Sequence, residues 1–170
     1  MKRFLGLIMI MGFLILLCPS CYSLKSESIP PEMKTINVGF FENDAPLVVS
    51  NLSRDFTEDL KQRIRSTTSL SIVTGEGNAS LSGSITDYRY GPISIQATNP
   101  NTAPIAGASA LSITVKVKFV YDANKKLNFE QSFTKSLNYT GDLSAQEPTL
   151  IKAINKQLID EIFNTAFNNW

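Results

Sequence analysis

Along residues 111–121 the odd positions are Leu111, Ile113, Val115, Val117, Phe119 and Tyr121, with Ser112, Thr114, Lys116 and Lys118 between them. Period two over that length predicts a strand with one covered face and one polar face. A turn over 122–128 and a return strand over 129–139 complete a hairpin, with Phe133 and Leu137 on the apolar side. Lys135 interrupts that side, which points to an edge strand or a slipped register. Upstream, Leu81, Gly83 and Ile85 alternate with Ser82, Ser84 and Thr86 in a strand over 80–90. Shorter candidates cover 34–41, where Ile36, Val38 and Phe40 would share a face, and 70–74.

Two stretches change period. Over 52–66, Leu52, Phe56, Leu60 and Ile64 recur every turn, which predicts an amphipathic helix. Ser50 or Asn51 would cap it, and acids near its start with bases near its end complement the helix dipole. A second helix of about 20 residues carries Ile151, Ile154, Leu158, Ile162 and Ala166 on one stripe, widened by Phe163, Phe167 and Trp170. Its start is set either by a Ser144/Glu147 capping box or by Pro148 in the first turn. Residues 91–107 hold three prolines and no apolar period, so they read as a long loop of the functional or mobile kind.

The order β-α-β-β-β-β-α predicts an α/β (α+β) fold. We expect a two-layer sandwich with two helices on one face of a mixed, mostly antiparallel sheet of four to five strands. The opposite face, rich in Ser, Thr and Lys, is left for water, a partner or a ligand.

The first twenty residues are of another kind. Two basic residues lead an apolar run from Phe4 to Leu17, and small residues precede Cys21. The run is shorter than the roughly 20 residues a spanning helix needs, so 1–20 read as an export signal. Cys21 would then begin the mature chain and take lipid, although Cys18 and Pro19 suit a lipoprotein signal poorly. Ordinary cleavage near an incidental cysteine is the alternative. Residues 21–33 form a polar tether ending in Pro30-Pro31, an extended step, and 34–170 form one domain.

Composition then excludes chemistries. Without the signal the side chains carry 14 basic and 15 acidic groups, a balance that argues against a nucleic-acid partner. The mature chain has one cysteine and no histidine, which removes an internal disulfide, the usual zinc and haem ligands, and the ordinary serine triad. Gly75 and Gly77 lack the lysine of a phosphate loop, and the acid pairs Glu58-Asp59 and Asp160-Glu161 point apart on their helices. No enzyme and no cofactor are expected. Lys116 and Lys118 share a strand face, and Lys125 and Lys126 occupy the following turn. Together they offer positive charge to phosphate or anionic lipid, with solvated lysines that keep the strand soluble as the plain alternative.

The stretch around Cys21-Tyr22-Ser23-Leu24, residues 28–43, 110–122 and 128–133, and the ending LIDEIFNTAFNNW together resemble the LPS-assembly lipoprotein family LptE in its Bacteroidota form. The resemblance implies a non-catalytic lipoprotein on the periplasmic face of the outer membrane, anchored through Cys21. It implies a plug that supports assembly of an LptD-like β-barrel and assists lipopolysaccharide transport to the outer leaflet. By the same comparison Lys116 and Lys118 become lipopolysaccharide contacts, with Lys125 and Lys126 beside them. A lipid-anchored periplasmic scaffold or envelope adaptor that binds no glycolipid is the alternative.

Overall fold

A computed structural model describes residues 29–93 and 108–168. In chain order the elements are β1 (Thr35–Val38), β2 (Glu42–Asn43), α1 (Leu52–Thr67), β3 (Ser71–Val73), β4 (Ala79–Pro92), β5 (Ala108–Tyr121), a 3-10 turn (Lys125–Leu127), β6 (Phe129–Thr140) and α2 (Glu147–Phe167). The sheet order is β3-β1-β4-β5-β6, with β2 also beside β4. β1 runs parallel to β3 and β4, because α1 carries the chain back across the sheet, while β4, β5 and β6 form antiparallel hairpin partners. Both helices cover one face, giving the two-layer α/β sandwich expected from the order of periods.

Five strands make the main path, and the sixth, β2, continues β1 across a bulge. Val38 stands opposite Leu81 and Glu42 opposite Ser84, so this side carries one residue more than β4 over the same stretch. The extra residue reverses the alternation. Phe40, expected inside with Ile36 and Val38, is 58% exposed, and Phe41 is fully buried in its place. Its ring lies 5.3 Å from that of Phe56 on α1, and its N–H donates to the buried Thr57 hydroxyl at 3.1 Å.

A second bulge lies further along β4, where the register with β5 shifts between Ile85 and Asp87. Before it Leu81 and Ile85 face the helices; beyond it Tyr88 does. β4 also runs through Gly91 and Pro92, paired with Ala110 and Ser109, so the first two residues of the expected loop belong to the sheet. The rest of that loop, from 94 to 107, lies outside the described residues, as do Trp170, the signal segment and Cys21.

The covered face is built by Leu111, Ile113, Val115, Val117, Phe119 and Tyr121 of β5, all buried, against Ile154, Leu158, Ile162, Phe163 and Phe167 of α2. Each such side chain contributes about 1.5–3 kcal/mol on leaving water. Phe119 meets Phe167 edge-on at 5.8 Å. α1 and α2 lie side by side, joined where the Arg63 guanidinium sits 4.9 Å from the Phe163 ring centre and 3.3 Å from Asp160. Core packing extends to Met33, which is buried, and Pro30 accepts a turn hydrogen bond from Met33 N–H where the sequence suggested an extended step.

Helix starts follow the sequence only in part. Asn51 precedes α1 in a left-handed conformation (φ 67°) and makes no side-chain cap. Its carbonyl instead accepts from Asp55 N–H at 2.8 Å. At α2, Pro148 occupies the first turn and Gln146 is the cap position. Ser144 turns instead to Asp142, donating its backbone N–H and then its hydroxyl, which together hold that carboxyl below its usual range.

Candidate functional site

The face of the sheet away from the helices is polar across three strands. Register places Ser82, Lys118 and Glu130 in one row and Ser84, Lys116 and Ser132 in the next. Beyond them Thr114 and Thr134 face each other, hydroxyl to hydroxyl at 2.9 Å. Period two puts these side chains here because the odd positions of β5 are taken by the core. The lysines, Glu130, Ser132 and Thr134 are exposed.

Lys116 and Lys118 thus share the face expected for them, together with an acid that the spacing along the chain does not bring near. Lys116 Nζ lies 2.7 Å from Glu130 Oε1. That hydrogen bond, then the charge of Lys116 and more weakly that of Lys118, holds the Glu130 carboxyl below its ordinary range. Glu130 offsets one of the two positive charges, so the sheet face is less basic than β5 alone suggests. Lys118 has no ion-pair partner among the described residues. Lys125 and Lys126 stand exposed on the 3-10 turn at the hairpin tip, off the strand rows. There the Asn124 side chain accepts from Lys126 N–H and fixes the turn.

Lys135 lies on the covered side of edge strand β6, and its ammonium reaches Glu161 of α2 at 3.1 Å. The long stem lets the charge leave the core while its methylenes stay in it. Tyr88 and Glu147 form the other pair that periodicity does not reveal, the phenol donating to the carboxylate across the two layers. Burial, and then this bond, push the Tyr88 hydroxyl well above its usual value, so it stays a neutral donor. Among the described residues no three Cys, Asp or Glu side chains are grouped to hold a metal, and no helix is long and apolar enough to cross a membrane.

The described residues thus form a small two-layer α/β domain whose sheet has one core-facing and one bare polar face. The family model LptE, Lipopolysaccharide-assembly, matches residues 33–166, and the chain belongs to that family of non-catalytic proteins. Comparison with curated proteins finds no sequence match. Among solved structures the fold is similar to the hypothetical protein CT253 from Chlamydia trachomatis (TM-score 0.52, 9% identity, 80% of this chain and 99% of that one). It is also similar to a minor lipoprotein from Acinetobacter baumannii (0.50, 16%, 81% and 92%) and to protein XCC0632 from Xanthomonas campestris (0.51, 10%, 80% and 88%). At these identities the likeness is one of fold.

Proposed function

We propose that this protein is an outer-membrane lipoprotein, held on the periplasmic face by lipid on Cys21, that plugs an LptD-like β-barrel and supports its assembly. In that place it assists the passage of lipopolysaccharide to the outer leaflet. The observation that carries the reading is the bare hydroxyl- and lysine-lined sheet face in a chain of this family. A barrel lumen lined with polar side chains supplies a matching cover for such a face.

Lys118 is the leading contact for phosphate or carboxylate on the glycolipid, since its ammonium is uncommitted. Lys116 joins it by exchanging Glu130 for the ligand, and Lys125 and Lys126 extend the positive charge past the hairpin tip. Affinity purification of the lipidated protein tests the partner: co-recovery of a large outer-membrane barrel is expected, and its consistent absence leaves the scaffold reading in its place. Lys116→Glu with Lys118→Glu tests the ligand. The double variant should stay folded and lose lipopolysaccharide binding by at least about tenfold; unchanged affinity rejects these residues as the site.

A further inference from the structure

A groove of about 570 Å³ lies between α1 and α2 at their N-terminal ends, away from the lysine face. Asp55, Glu58 and Asp59 line one wall and Glu147 and Lys152 the other. Compensation of the helix dipoles accounts for Asp55 and Glu147, which lie in first turns, but the dipole's influence fades within a turn and does not account for Glu58 and Asp59. Arg54 and Lys61 are ion-paired with Asp55 and Glu58; Asp59 has no partner among the described residues.

Asn155, in the same lining, supplies an independent observation. It interrupts the apolar stripe of α2, is 2% exposed, and its Oδ1 meets no donor. A buried acceptor left unmade is costly unless a donor arrives from outside. Beside the groove the 44–51 loop presents Leu47 and Val48, 46% and 80% exposed. The acids do not converge into a metal cage, and Lys152 stands among them. These features suit a longer cation with N–H donors and apolar neighbours.

We propose that this groove docks a basic, amphipathic segment of a protein partner. A Lys or Arg side chain enters between Asp59 and Glu147 and donates to Asn155 Oδ1, while flanking apolar residues rest on Leu47 and Val48. The proposal does not depend on barrel or lipopolysaccharide binding, which use the other layer.

The test titrates the full mature protein, by NMR at low salt, with a short acetylated peptide alternating lysine with leucine and with its glutamate-for-lysine counterpart. The lysine peptide should shift resonances of 47–59 and 147–155, and the glutamate peptide should not. Asp59→Lys should weaken binding at least about tenfold and Lys152→Glu should strengthen it several-fold. Both sites are exposed, so circular dichroism should match the parent. Asn155→Leu, which removes the orphan acceptor, should also weaken binding in a protein at least as stable. Shifts confined to the lysine face, equal binding of the two peptides, or affinity indifferent to Asp59→Lys and Lys152→Glu overturns the proposal. So does saturation of the same resonances by calcium ions at lower concentration than the peptide.

Discussion

Gly83 shows how much one position on β4 carries. A Cβ there would collide with the Lys116 carbonyl and stand 2.7 Å from Cε1 of Phe41, whose ring fills the space a side chain would take. Gly83→Ala should destabilise the fold by about 2–4 kcal/mol, measured by urea denaturation, because neither backbone nor packed ring can retreat cheaply. At Glu130 the effect is electrostatic. Its carboxyl titrates below the ordinary 4.5 because Lys116 bonds the charged form. A depressed folded value means the stabilisation is present above the unfolded value and fades as pH falls through the folded one. Carbon-detected NMR should find the Glu130 midpoint below 4.5 and moved towards it in Lys116→Met, with Lys118 still exerting a small downward pull. A midpoint unmoved by that substitution would remove Lys116 as the cause.

Arg63 ties the two helices together at one point of their contact. Its guanidinium lies over Phe163 and reaches Asp160, so it packs and pairs at once. Both ends of the ion pair are about a third exposed, which keeps the electrostatic share small. Arg63→Ala should cost about 1–2 kcal/mol in chemical denaturation, and Arg63→Lys should recover only part of it, since an ammonium lacks the planar stack. Among the strands, the two bulges separate elements whose period is readable from those whose period is not. β5 is unbroken on its own side, and its odd positions from 111 to 121 are buried as the alternation predicts, although Ser112, expected on the polar face, is buried as well. The alternation reverses between β1 and β2 and again within β4, which no count along one strand anticipates, because a bulge is defined by the partner strand.

For the whole molecule, the consequence is a domain with two separable outer surfaces, the bare sheet face and the acidic inter-helix groove, either side of one core. The proposed anchor adds a third point of attachment. Cys21→Ser should abolish lipid on the mature N-terminal peptide, as read by mass spectrometry, and move the free protein to the soluble envelope fraction. A share should remain with the membrane if the domain is held by a barrel as well as by its lipid. Complete release would argue that lipid alone retains it.

What the sequence determined by itself was the two-layer plan and the choice of core on β5, α1 and α2. A buried stripe is a local property, written at period two or 3.6 in the residues that form it. It also placed Lys116 and Lys118 on one face, for the same reason. Tertiary structure alone decided that Glu130 stands against Lys116, that Phe41 rather than Phe40 enters the core, and that Tyr88 is tied to Glu147. It also decided that Asn155 is left without a donor beside a cluster of acids. Each of these depends on register or on the packing of elements distant in the chain, and pairings across such separations are set by the partner as much as by the residue.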